Sequence, residues 1–146
     1  MLLRFGNGAR GALWASQVAP GNENNLALRV YGSKGGIEWR QEHPNQLAWT
    51  PFGEPTRIVT RGSSQVSAAG ARVTRIPAGH PEGYLEAFAT IYSEVATAIE
   101  ARRAGASPDA AVMFPGIDDG VAGVAFIEAA IRSSRVGGVW VALDTA

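Results

Sequence analysis

Residues 26–31, LALRVY, place Leu26, Leu28 and Val30 on one side of an extended chain and Ala27, Arg29 and Tyr31 on the other. That period of two predicts a strand. GSKGG follows, with glycines suited to a tight turn. IEWR then returns with Ile37 and Trp39 on one face, so residues 26–40 predict a β-hairpin. Upstream, ARGALWASQV alternates Leu13, Ala15 and Gln17 against Trp14, Ser16 and Val18, a further strand. Downstream, QLAWTPF and TRIVTRG read as two more, with Pro51 ending the first or placing it at an edge. The connections are too short for helical crossovers, so the pairing is expected to be antiparallel. Residues 62–79 are small and polar, with Val73 and Ile76 as apolar anchors, and read as a long loop.

The period changes in the second half. From Tyr84 to Arg103, Leu85, Phe88, Tyr92, Val95 and Ile99 recur at three and four residues. This is one helix face, expected to be buried. Arg102 and Arg103 fall in the last turn, where they suit the negative end of the helix dipole, and Gly105 stops the helix. A second helix is predicted from about Asp118 or Asp119 to Ser134, with Val121, Val124, Ile127 or Glu128, and Ile131 along one side. VWVAL, residues 139–143, predicts a last strand. Strands, then two helices, then a strand give an α+β class: a mostly antiparallel open sheet with helices packed on one face. Residues 1–146 are expected to form a single domain.

Composition narrows the chemistry. Thirteen basic and thirteen acidic residues balance, which argues against a nucleic-acid footprint, since that needs a clustered basic excess. Cysteine is absent, so disulfides, thiolate metal sites and cysteine nucleophiles are excluded. That absence fits a reducing compartment, and a cytoplasmic location is expected. The start, MLLRFGNGARG, has no apolar run of signal-peptide length. No stretch approaches the roughly 20 apolar residues of a membrane span.

Familiar catalytic constellations do not occur. GNGARG contains G-x-G but is followed by a strand pattern, so it is not a dinucleotide turn. No Walker loop, H-E-x-x-H or G-x-S-x-G is present. His43 and His80 lack the spacing of a metal pair, and no metal site is expected.

Three segments are more specific: YGSKGGIEW, GHPEGY and DDGVAGVAFIEAAIRSS. With their flanks they resemble the C-terminal part of the Gfo/Idh/MocA family, the NAD(P)-dependent oxidoreductases named for glucose-fructose oxidoreductase and inositol dehydrogenase. The resemblance runs from Leu2 to Leu143. It implies a parent with an N-terminal Rossmann domain, a Glu-Lys-Pro lysine and an Asp/His motif, followed by a substrate-binding and oligomerisation domain. Neither the glycine-rich loop nor either catalytic motif occurs in these residues. The expectation is therefore the later portion of the second domain, catalytically incomplete by itself. NAD or NADP is implied for the family member, with none bound by this chain alone. A sugar or polyol is the implied substrate. A stand-alone interaction module derived from the same domain is the alternative.

The candidate site is GHPEGY. Read locally, His80 is an N-cap or precedes one, Pro81 takes the first helical position and Glu82 complements the dipole. Read functionally, His80, Glu82 and Tyr84 hydrogen-bond a polyol at a helix entrance. Substrate binding, and not proton transfer, is the role the resemblance implies, and no catalytic residue is assigned. Trp14, Trp39, Trp49 and Trp140 read as sheet packing. Arg10, Arg29 and Arg40 read as solvated or interface-facing, and Asp118 and Asp119 as caps. Lys34 reads as an exposed turn residue, and Gln17 is a weak site candidate. The second sheet face, Ala27, Arg29 and Tyr31, is semi-polar, which suits a homo-oligomer formed through the sheet.

Overall fold

The computed structural model describes residues 1–143. The chain forms two compact units, one of Met1–Ala19 with Pro115–Ala146 and one of Pro20–Phe114.

The larger unit holds a four-stranded antiparallel meander. Its strands are β3 (Ala27–Gly32), β4 (Gly35–Arg40), β5 (Gln46–Pro51) and β6 (Arg57–Thr60), in the order β3-β4-β5-β6. The predicted hairpin is present, with Ser33 and Lys34 as its turn and Arg29 opposite Glu38. Because side chains alternate, Leu28, Val30, Ile37, Trp39, Leu47, Trp49 and Val59 share one face. The other carries Arg29, Tyr31, Glu38, Ala48, Thr50 and Ile58. Glu38 pairs with Arg29 at 3.1 Å and Arg40 at 2.7 Å. The Arg40 bond is the larger cause holding its carboxyl below the usual carboxylate range. Strand β3 is exposed along its whole length.

Residues 62–79 are not wholly loop. Ser67 accepts the Gly70 N–H and opens a five-residue helix, α1 (Ala68–Arg72). The small side chains of AAGAR permit a turn that periodicity is too short to reveal. Helix α2 spans Tyr84–Arg103, the predicted bounds, and Gly105 follows it at φ +72°. Its cap differs from the expectation. Gly83 is the N-cap, Glu86 accepts the Gly83 N–H at 2.8 Å, and His80 and Pro81 precede the helix.

The buried side of α2 also departs from its apolar stripe. Leu85 is 76 % and Tyr92 72 % exposed, and Phe88 and Ile99 are exposed with them. Of the predicted stripe Val95 is half-buried; the buried or half-buried line runs from Glu86 through Ala89, Thr90, Glu94 and Val95 to Ala98 and Ala101. The cause is Glu94. It takes Arg72 of α1 at 2.6 Å and the Met113 N–H at 2.8 Å, which turns the polar side of the helix inward. Both partners, Arg72 first, hold the Glu94 carboxyl below its usual range.

The smaller unit contains the hairpin β1 (Leu2–Arg4) and β2 (Arg10–Ala12) and the helix α3 (Ile117–Arg135). The predicted strand over residues 9–18 is thus reduced to Arg10–Ala12. Asp119, in the first turn of α3, accepts the Gly116 N–H at 2.7 Å, the capping role expected of it. Ala125 and Ala129 are buried while Val121, Val124, Ile127 and Ile131 are exposed. Val139–Leu143, predicted as a strand, has no ladder partner. Its carbonyls accept from α3 side chains instead, Ser133 Oγ to Val139 and Arg132 to Ala142. Arg4 stacks over Trp140 at 3.9 Å. The architecture is α+β with open antiparallel sheets. Among the described residues no helix is long and apolar enough to cross a membrane.

Candidate functional site

Within the larger unit, the turn between β4 and β5 meets the entrance of α2. Glu42, His43, Pro44, Asn45 and Gln46 face Pro81, Glu82, Gly83 and Glu86 around a cavity of about 480 Å³. The turn is fixed from the sheet, since the Trp39 indole N–H donates to the Pro44 carbonyl at 3.2 Å. Packing is close on the helix side. A Cβ on Gly83 would stand 3.4 Å from Pro44 Cγ.

Beneath the cavity lies a buried ion pair. Arg61 follows β6, and its Nη1 reaches Glu82 Oε2 at 2.7 Å, the two side chains being 15 % and 6 % exposed. Glu82 also accepts the N–H of Arg75 at 2.8 Å and that of Ile76 at 3.4 Å. Asn45 joins the group, its Oδ1 accepting from Arg61 Nε at 2.7 Å and from the Glu82 N–H at 3.2 Å. A carboxylate offers about four acceptor positions, and three of Glu82's are taken by these donors. Glu86 is also engaged. The Gly83 N–H is the foremost cause holding its carboxyl below the usual range.

The predicted site residues are divided by this geometry. Glu82 lines the cavity, while His80 and Tyr84 are exposed and stand outside its lining, each next in sequence to a lining residue, Pro81 and Gly83. Tyr84 rests against Phe88, ring centroids 4.9 Å apart. Trp49 lies under the Arg57 guanidinium at 5.2 Å, Lys34 is exposed in its turn, and Gln17 lies exposed in the other unit. Sequence reasoning did not single out Arg61, Asn45, Glu42 or Glu86. One signal was available for the region: both histidines are followed by proline, at 43–44 and 80–81. His43 and Pro44 of the first and Pro81 of the second line the cavity. Among the described residues no group of three or more metal-ligating side chains comes together.

A dinucleotide cofactor does not fit the described residues. Pyrophosphate binds the free N–H groups of a helix N-terminus. At α2 and α3 a carboxylate of the helix itself, Glu86 or Asp119, already takes the cap N–H. Its charge would repel the anion. What the cavity offers is neutral and anionic acceptors, histidine and asparagine, a set suited to hydroxyl groups.

A model of the oxidoreductase family's C-terminal alpha/beta domain, that of the Gfo/Idh/MocA proteins, matches residues 1–143. An uncharacterized oxidoreductase of Bacillus subtilis (strain 168), YfiI, is 36% identical over 142 residues, which is 97% of this chain and 36% of that protein. The crystal structure of an oxidoreductase from Sinorhizobium meliloti is 57% identical with a TM-score of 0.87, covering 92% of this chain and 37% of that one. An inositol dehydrogenase homolog from Azotobacter vinelandii, complexed with NADH and myo-inositol, is 38% identical with a TM-score of 0.88 over 96% of this chain and 37% of that one. The chain thus spans little more than a third of the length of these relatives.

Proposed function

The chain belongs to the Gfo/Idh/MocA oxidoreductase family, as its C-terminal alpha/beta domain, and from that premise we propose that it is the substrate-binding and association part of an NAD(P)-dependent sugar or polyol dehydrogenase. The observation that carries this reading is the likeness to a homolog holding myo-inositol and NADH, of which this chain matches 37%. By itself the domain is inactive, because the cofactor and the group that accepts the substrate proton belong outside it. His80 and Tyr84 donate and accept hydrogen bonds at the polyol hydroxyls, and Glu82 accepts one.

His80→Ala in the complete dehydrogenase is the test. We expect KM for the polyol to rise about tenfold, the size of one lost hydrogen bond to a substrate. Thermal stability should hold, since the imidazole is exposed. A fall in stability with unchanged KM would mean that His80 serves the loop and not the substrate.

The association role rests on exposed apolar surface. Leu28, Val30, Ile37 and Trp49 lie on one sheet face and are all exposed, while Tyr31 on the other is 76 % exposed. Contiguous apolar surface of this kind marks an interaction site. Homo-oligomers formed through the sheet are the expected outcome in sedimentation at micromolar concentration. A monomeric mass there, unchanged by Val30→Lys, would remove this part of the proposal.

A further inference from the structure

The loop that carries His80 has few means of holding itself. Pro77 and Pro81 supply no N–H, and Gly79 turns the chain at φ +86°. The one local backbone bond is weak, His80 N–H to the Pro77 carbonyl at 3.3 Å. The carbonyls of this segment are gathered by a single side chain from outside it. Arg61 donates from Nη1 to Ile76 O at 2.7 Å and from Nη2 to His80 O at 2.5 Å and Pro77 O at 3.3 Å. The same Nη1 meets Glu82, and Nε is anchored on Asn45. The backbone of Arg61 is itself tied to the sheet turn, its N–H donating to Asn45 O at 2.9 Å.

We propose that Arg61 is a positioning residue for polyol binding: its guanidinium fixes the His80 peptide relative to the cavity and so aims the imidazole. The inference rests on the polyol-site reading above and adds a residue that reading does not use. The chemistry requires arginine. A guanidinium presents five N–H donors in one rigid plane, enough to reach three carbonyls, a carboxylate and an amide oxygen together. An ammonium has three donors on a flexible stem and fills fewer of these places. Lysine at position 61 keeps the charge beside Glu82 but releases part of the loop.

The experiment is a double-mutant cycle of Arg61→Lys and His80→Ala in the complete dehydrogenase, reading KM and kcat for myo-inositol together with the melting temperature. Arg61→Lys is expected to raise KM about tenfold and more than it lowers kcat, as displacement of a substrate-orienting group does. In the His80→Ala background the same change should move KM less than twofold, since there is no imidazole left to aim. KM effects that multiply in the double variant overturn the positioning role. A KM unmoved by His80→Ala overturns instead the polyol reading on which it rests. Should Arg61→Lys not fold, the same cycle is run with Arg61→Gln, which keeps donors at this position but cannot reach all the carbonyls. Multiplying effects in that cycle also overturn the proposal.

Discussion

Glu82→Ala is expected to lower the unfolding free energy by about 3 kcal/mol, the cost of breaking a buried pair by removing one partner. The carboxylate answers three donors at once: the Arg61 guanidinium and the N–H groups of Arg75 and Ile76. Its side chain is 6 % exposed and Arg61's 15 %, so water does not readily take its place. Alanine leaves a cation and two amides facing a void, each losing a partner it had traded water for. Glu82→Gln should cost less, because it keeps one oxygen acceptor and the shape while losing the charge. Urea unfolding checks this. The midpoint should fall with the slope unchanged, which marks lost stability and not a changed denatured state. A shift within about 0.5 kcal/mol, the range of ordinary surface changes, would show that the pair is solvated and that the His80 loop is held some other way.

Gly35→Ala is expected to cost at least about 2 kcal/mol through backbone strain and a clash that has no side chain to yield. Gly35 begins β4 at φ +148°, and a Cβ there would lie 2.4 Å from Thr50 O and 3.0 Å from Pro51 Cα. Both are backbone atoms of β5, so relief requires the β4–β5 ladder to open where Gly35 pairs with Pro51. Gly36 is the control. Its Cβ would meet the Tyr31 ring at 2.8 Å, but that ring is 76 % exposed and turns away by a rotamer change. Gly36→Ala should therefore cost less than about 1 kcal/mol. Denaturation midpoints of the two variants, compared in one buffer, decide the matter. Equal effects would mean that the β4–β5 corner yields without strain.

The alternation of residues 26–40 announced β3 and β4 because each strand's period of two is written in consecutive residues, and the turn needs only local glycines. The bounds of α2 were legible for the same reason: an apolar repeat from Tyr84, arginines at the end and Gly105 after it. The capping was less so. Pro81 looked like a first helical residue, but the turn before it has its carbonyls bonded to Arg61 and the helix begins three residues later. The segment VWVAL has strand composition, yet its carbonyls are taken by Ser133 and Arg132 of α3.

The candidate site divides along the same line. GHPEGY drew attention by itself, as a histidine, a proline and a glutamate before a helix. That Glu82 is buried under a cavity, that Arg61 gathers the carbonyls of this loop, and that Asn45 meets the Glu82 N–H rest on contacts between residues 15 to 37 positions apart. No local pattern encodes them.

The sequence by itself determined the α+β class, the antiparallel meander and the run and end of the long helix, because backbone preference and side-chain period act between near neighbours. Only the tertiary structure decided which side of α2 is buried. An apolar stripe states what a helix can bury, not what the rest of the chain presents to it. Here the chain presents Arg72 and the Met113 amide, and both are met by Glu94, on the side of the helix away from Leu85, Phe88 and Tyr92.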